Sequence, residues 1–345
     1  MKTFAGFYKG INLGGWLSQG WHNKQHYDSF ITEADIKKIS SWGLDHVRLP
    51  VDYEAIENES GQYKEEGFKY IDNCFAWCQK YRLNLIIDLH KTAGYMFTDI
   101  LENGNKAANT FFSNELLKER FINLWVEISK RYGKYPDMIA FELLNEMVEA
   151  NNGKSWNALC EKAIGTIRIY APDTKIILGG PNWNDAYSLR LLDSPCDENI
   201  IYNFHFYEPK LFTHQKAHWV KQMPKDITTY YPDAAEVYKK HSERLGDEGA
   251  EMLKETLQEI GQEFIEKHIK EAASIAEERG VALYCGEYGV IDQAPLDSTL
   301  NWYCDMHALF EKYHIGRAAW TYKEKDFGIT DKHYAPIVDK IIELL

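Results

Sequence analysis

Two short stretches of this chain end in a glutamate in the same way. In Phe141-Glu142-Leu143-Leu144-Asn145-Glu146 a mostly apolar run closes on an Asn-Glu pair. In Leu283-Tyr284-Cys285-Gly286-Glu287-Tyr288-Gly289 a second apolar run delivers another glutamate. A glutamate taken at random is a solvated surface charge. A carboxyl at the mouth of an apolar layer is different, because desolvation raises its pKa and suits it to general-acid work. Two carboxyls on separate strand ends are the minimum equipment for glycoside hydrolysis. Other polar and aromatic groups close further apolar runs: Arg48, His90, His205, Tyr207 and Trp320, with Asn145 beside Glu146. Each has a bland reading alone: a structural ion pair for Arg48, satisfied core histidines, a packing role for Trp320. Their restriction to strand ends is hard to obtain from packing.

The elements that must position these groups alternate along the chain. Strands are expected at 9–16, 45–49, 84–88, 139–144, 175–178, 200–206, 282–285 and 317–321. Helices are expected between them. One starts at the capping-box-like Thr32-Glu33-Ala34-Asp35, with Ile36, Ile39 and Trp42 at helical spacing and Gly43 as its stop. Others cover 65–81, 114–132, 156–170, 264–279 and 299–313, with a short helical piece at 182–192 and a last helix near 337–345. Eight strands alternating with helices, and no glycine-rich phosphate loop after the first, predict an α/β fold of the (β/α)8 TIM-barrel type rather than a doubly wound sheet. The ends of such strands converge on one face. Residues 208–262 break the rhythm, since a connection of about 2–6 residues is usual there. They are expected to form a small helical subdomain inserted after strand 6, within a single catalytic domain spanning 1–345. Phe212, His214, His218, Trp219, Tyr230 and Tyr231 lie in its first part. A solvated decoration without substrate contact is the alternative.

Composition narrows the function. The 345 residues are 45% apolar and 26% charged, as in a globular protein. The net charge of −13 argues against nucleic acid and anionic membranes, which need clustered Lys and Arg. Ten Trp and 22 Tyr exceed what a core alone demands and suit stacking on sugar faces. Six cysteines show no regular framework, and buried free thiols are expected. No run reaches membrane-spanning length, and the N-terminal stretch lacks the apolar core of a signal peptide. The protein is therefore expected to be cytoplasmic, or to have lost a leader. There is no G-x-x-x-x-G-K, G-x-G-x-x-G, H-E-x-x-H or G-x-S-x-G, so nucleotide, zincin and serine-hydrolase chemistry has no motif support.

Seven motifs together resemble glycoside hydrolase family 5, the cellulases and related β-glycanases. They are Gly-Ile-Asn-Leu-Gly-Gly-Trp from Gly10, Asp-His-Val-Arg-Leu-Pro from Asp45, Ile-Ile-Asp-Leu-His to His90, Phe-Glu-Leu-Leu-Asn-Glu to Glu146, Asn-Phe-His-Phe-Tyr to Tyr207, Tyr-Cys-Gly-Glu-Tyr-Gly around Glu287, and Ala-Trp-Thr-Tyr-Lys to Lys323. The long insertion resembles that of the clostridial-type branch. The resemblance implies a retaining mechanism with Glu146 as acid/base and Glu287 as nucleophile, their carboxyls about 5–5.5 Å apart. It implies that Asn145 binds the sugar 2-hydroxyl, that Arg48 and Tyr207 support Glu287, that His90 and His205 line the cleavage subsite, and that Trp320 is its stacking floor. Lys323 is expected to reach a neighbouring hydroxyl. Glu142, deeper on the strand of Glu146, reads as structural. Many family members carry two consecutive histidines where this chain has His90-Lys91, which touches substrate choice rather than mechanism.

The expected activity is an endo-β-1,4-glucanase on cellulose-like or mixed-linkage glucan, acting as a monomer without metal or other cofactor. Its only partner would be β-glucan polysaccharide or oligosaccharide. The same mechanism on mannan or xyloglucan is the alternative within the fold. A catalytically silent carbohydrate-binding barrel and a metal-dependent hydrolase using His205, His214 and His218 are the alternatives from other classes.

Overall fold

In the computed structural model, which describes residues 1–98 and 110–345, the eight expected strands close into a parallel barrel. They are β1 (Lys9–Asn12), β2 (His46–Asp52), β3 (Asn84–Lys91), β4 (Ile139–Glu142), β5 (Lys175–Gly179), β6 (Ile200–Phe206), β7 (Ala282–Tyr288) and β8 (Gly316–Ala319). Each pairs with its neighbours in sequence, and β8 closes on β1 through Lys9↔Arg317 and Ile11↔Ala319. The main outer helices are α1 (Glu33–Ser41), α2 (Glu65–Tyr81), α3 (Glu115–Tyr132), α4 (Gly153–Ile167), α5 (Gln262–Glu278), α6 (Leu296–Tyr313) and α7 (Val338–Leu344); a 3₁₀ turn at Ala186–Leu191 replaces the helix between β5 and β6.

Local chemistry sets these elements. At the start of α1 the Asp35 carboxylate accepts the backbone N–H and the hydroxyl of Thr32, and Gly43 leaves the helix in the left-handed region at φ 78°. Every residue of β2, β6 and β7 is buried, as expected of strands covered by helices outside and filled by side chains within. The barrel floor is apolar: Phe4 stacks on Phe7 at 4.3 Å, beneath Ile86, Ala140, Ile177, Ile201 and Tyr284. Because strand side chains alternate, the next inward positions toward the C-terminal ends are Arg48, Asp88, Glu142 and Asn203. The barrel is thus oily below and ionic above.

The expected strand ends need adjustment. β3 and β7 run further, so His90 and Glu287 lie within strands rather than after them, while β1, β4 and β8 stop earlier. β7 gains its extra length through a bulge: Phe204 pairs with Cys285 but His205 pairs with Glu287, so Gly286 is left over. The thiol expectation also needs correction. Cys74, Cys78, Cys160 and Cys285 are buried, but Cys196 and Cys304 are exposed; all six are free.

Between β6 and α5 the chain forms short helices (Lys210–Thr213, Ala235–Ser242 and Ala250–Leu253), a 3₁₀ stretch and a two-stranded antiparallel pair, Asp233–Ala234 with Glu259–Ile260. Hydrogen bonds tie them to α6, where the Tyr231 hydroxyl donates to Asp305 at 2.7 Å. The Trp302 indole of α6 donates to the Glu208 carbonyl at 3.0 Å, and Phe212 stacks on Tyr231. No helix among the described residues is long and apolar enough to cross a membrane.

Candidate active site

Arg48 is the hub of the polar layer. Its Nε and one terminal nitrogen fork onto the two oxygens of Glu142 at 2.7 and 2.8 Å. The other terminal nitrogen donates to Glu287 Oε1 at 2.8 Å and to Asn12 Oδ1 at 2.9 Å. Asn145 Oδ1 and Asp88 Oδ2 complete the shell at 2.9 and 3.0 Å. A guanidinium with its donors spread in one plane can serve so many acceptors, whereas an ammonium cannot. Three carboxylates face this one cation in full burial. Burial lifts Asp88 to about 7, with Arg48 opposing that rise.

Glu287 is held from both sides. Arg48 grips one oxygen, and the Tyr207 hydroxyl donates to the other at 2.9 Å. Burial and the facing carboxylates push the Tyr207 phenol well up, so it remains a donor. The bulge aims Glu287. Gly286 N–H donates to Asn203 Oδ1 at 2.8 Å, Asn12 Nδ2 donates to the Gly286 carbonyl at 2.9 Å, and a Cβ at position 286 would lie 2.7 Å from Asn203 Oδ1. Only glycine fits there.

Glu146 projects from a turn just past β4 and has φ 30°, outside the usual range of an L-residue. Tyr95 holds this turn: its hydroxyl donates to the Glu146 carbonyl at 2.9 Å and accepts from Val148 N–H at 2.6 Å. Burial raises the Glu146 carboxyl to about 7, with His90 and Arg48 opposing. His205 Nδ1 lies 2.7 Å from Glu146 Oε1 and 3.7 Å from Glu287 Oε2. Burial pushes His205 down to about 4, so the ring is neutral near pH 7. The amide donors of Asn184 and Asn203 approach its Nε2 at 3.5 and 3.4 Å, which places the proton on Nδ1, toward Glu146. One oxygen each of Glu146 and Glu287 lie within 4.8 Å of one another.

His90 and Trp320 form a flat wall beside the pair, with rings 5.7 Å apart and 6° from parallel. His90 Nδ1 meets Asp88 at 2.6 Å and its Nε2 meets Gln19 at 2.9 Å. Asn145 is buried, and its Nδ2 has no hydrogen-bond partner among the described residues. The structure therefore gathers Arg48, His90, Asn145, Glu146, His205, Tyr207, Glu287 and Trp320 at one end of the barrel. It does not bring Lys323 among them. That ammonium turns outward to Asp35 at 3.4 Å and lies over the Phe30 ring at 5.0 Å, because the capping carboxylate of α1 and an aromatic face attract it away from the mouth.

Sequence reasoning missed Asp88, Asn203, Asn12, Tyr95 and Gln19. Two of these carried a signal, since Asp88 and Asn203 each stand two residues before an expected histidine and so share its barrel-inward face. Among the described residues, two groups have metal-ligand geometry: Glu146, His205 and Glu287, and a second of His22, Asp52 and Glu54. In the second, Lys91 already pairs with Glu54, and Asp52 takes the Gln19 N–H and the His22 ring.

The description Cellulase (glycosyl hydrolase family 5) matches residues 5–326. This chain belongs to glycosyl hydrolase family 5. It is 40% identical over 346 residues to Endoglucanase C of Acetivibrio thermocellus, covering 98% of both chains. It is 41% identical over 318 residues to Cellodextrinase A of Ruminococcus flavefaciens, covering 92% of this chain and 86% of that protein. Among solved structures, the cellulose synthase subunit Z of Clostridioides difficile superposes with a TM-score of 0.75 at 26% identity, covering 98% of this chain and 99% of that one. The protein is a glycoside hydrolase, and the TIM barrel is that of its family. The insertion of this family 5 enzyme reaches the site indirectly: His214 packs edge-on to Tyr207 at 5.0 Å and close to Phe327 and Trp219.

Proposed function

We propose that this glycoside hydrolase cleaves β-1,4-glucan by double displacement, with Glu287 as nucleophile and Glu146 as acid and then base. The observation that carries the reading is the pair of carboxyls across His205, with oxygens within 4.8 Å. That approach supports the retaining arrangement, whose carboxyls stand about 5–5.5 Å apart, over the inverting one at about 6.5–9.5 Å. The two environments divide the labour. Glu287 accepts from a fixed cation on one oxygen and from a phenol on the other, which leaves it placed to act as the nucleophile. Glu146, raised to about 7, carries a proton to give to the departing glycosidic oxygen. Its other oxygen is engaged by His205 Nδ1–H, which steers the carboxyl without taking the proton.

In the first step Glu287 forms a bond to the anomeric carbon while Glu146 protonates the leaving oxygen. In the second, Glu146, now ionised, takes a proton from water, and the water oxygen displaces Glu287. Asn145 Nδ2 is the donor left for the hydroxyl next to the anomeric carbon, and Trp320 supplies the face on which the ring stacks. The glucan preference rests on the relatives named endoglucanase and cellodextrinase.

The test is reducing-sugar release from carboxymethyl cellulose, mixed-linkage glucan, xyloglucan and mannan by wild type and Glu287→Gln, with the anomer of the first product read by NMR. Release from the glucans with retained configuration is expected, and Glu287→Gln is expected to lower it by about 10⁴-fold or more while still binding substrate. Activity confined to mannan would overturn the substrate, and an inverted product would overturn the mechanism.

A further inference from the structure

We propose that His22, Asp52 and Glu54 bind a divalent transition-metal ion of the zinc class, and that the ion fastens the loop after β1 to the end of β2. One ligand atom from each of the three lies within 4.8 Å of the other two. Asp52 is the last residue of β2, and Glu54 follows in the one-turn helix Tyr53–Ile56. His22 comes from the loop after β1, with its Nε2 3.1 Å from Asp52 Oδ2. Acidic groups gathered at a rim mean little alone; the decisive feature is what their other contacts leave over. Asp52 is 2% exposed, yet among the described residues its Oδ1 has no hydrogen-bond partner, because the Gln19 N–H and the His22 ring both use Oδ2. Glu54 Oε2 is buried and unpartnered in the same way, because Lys91 takes Oε1. A carboxylate oxygen buried without a partner is costly, and a cation is the partner that satisfies two of them at once.

The imidazole is already oriented for this. The hydroxyl of buried Tyr27 lies 2.6 Å from His22 Nδ1. With Nδ1–H donating to that oxygen, Nε2 presents its lone pair to the carboxylates, and such an outer hydrogen bond is what a metal-bound histidine makes. Zinc bonds of about 2.0–2.2 Å put tetrahedral ligand atoms about 3.4 Å apart, close to the 3.1 Å between His22 and Asp52. One imidazole with two carboxylates suits zinc, cobalt or manganese, whereas calcium takes more oxygens than three side chains offer. His22 is part-exposed, which gives the ion an entry path. The group of Glu146, His205 and Glu287 is less suited, since Arg48 on Glu287 is locked in place by its other acceptors. Lys91 is part-exposed on a flexible stem and yields more readily. Gln19 carries the effect inward. It stands in the left-handed region at φ 54°, donates its N–H to Asp52 at 3.2 Å, and meets His90 Nε2 through its side chain at 2.9 Å. An ion that fixes Asp52 therefore also fixes the partner of His90.

The experiment strips metal with a chelator and then measures Zn²⁺ binding, by calorimetry and by melting temperature, for wild type, His22→Ala, Tyr27→Phe and Glu287→Gln. None of these readouts depends on which glycan is cleaved. Wild type should bind the ion and melt about 3–4 °C higher at about 100 times the dissociation constant. Ca²⁺ and Mg²⁺ should give no such rise. His22→Ala should bind at least about 100-fold more weakly, and Tyr27→Phe, which loses only the outer hydrogen bond, about tenfold more weakly. Glu287→Gln should bind as wild type does. Absence of Zn²⁺ binding by wild type would overturn the proposal and leave the two oxygens to water. Binding that survives in His22→Ala and is lost in Glu287→Gln would put the ion at the catalytic pair, which overturns it equally.

Discussion

Replacing Glu146 by glutamine tests the electrostatics of the site separately from its chemistry. Burial raises this carboxyl from the ordinary 4.5 to about 7. The folded protein therefore holds the proton more tightly than the unfolded chain does. Between those two values the folded state binds more protons, so rising pH reduces stability through this window, and the loss is complete above about 7. At about 1.4 kcal/mol per tenfold difference in proton affinity, the ionised Glu146 costs the fold about 3 kcal/mol above neutral pH. Glu146→Gln has no charge to bury, and its amide oxygen can still accept from His205 Nδ1–H. The variant should match wild type at about pH 4 and exceed it by about 3 kcal/mol at about pH 8. For a chain of this length that is about 4 °C in melting temperature. The same variant should lose hydrolysis of unactivated glycosides; on aryl glycosides with good leaving groups, whose first step needs no acid, it should largely keep kcat/KM while kcat falls, because the second step has lost its base. Wild-type kcat/KM should fall on the alkaline side near pH 7. Equal melting temperatures for the two proteins at both pH values would refute the assignment of a strongly raised carboxyl at position 146.

Arg48→Lys should be nearly as damaging as Arg48→Ala, because one ammonium cannot span Glu142, Glu287, Asn12 and Asn145; a stability loss of about 3–5 kcal/mol and loss of turnover are expected by urea denaturation and rate assays. Gly286→Ala should push the new methyl against Asn203, costing about 1–3 kcal/mol and lowering kcat more than KM as Glu287 is displaced; comparison of both constants on one soluble glucan checks it. Tyr95→Phe removes the hydroxyl that clamps the Glu146 turn, and should lower kcat with a stability loss of about 1–2 kcal/mol, read by rate assay and melting.

The barrel was legible because its signals are local and repeated. Each strand is a short apolar run with a turn signal after it, and each main helix has a stripe at helical spacing, so β6 and α2 were placed to the residue. The site was legible to the extent that it follows the same alternation. His90, His205 and Glu287 sit at strand ends because the mouth of the barrel is there, and the expectation needed only to count outward from the apolar layer. Where the backbone departs from regular strand, counting failed. The bulge at Gly286 and the left-handed turn at Glu146 are properties of pairing and of contacts far away in sequence: Asn203 forces the first, and Tyr95 holds the second. Lys323 shows the same limit from the other side. Its motif position is sound, yet a carboxylate from α1, nearly 290 residues away, takes its charge. The residues that read correctly are those whose direction is set by their own strand, and the residues that did not are those whose direction is set by a partner. Arg48 belongs to both groups. β2 aims it inward, but its function comes from three carboxylates on β3, β4 and β7, which no pattern within Asp45–Pro50 announces. A one-for-one exchange of charge at this centre is therefore a change to three strands at once, and its effect cannot be confined to the nucleophile it was meant to perturb.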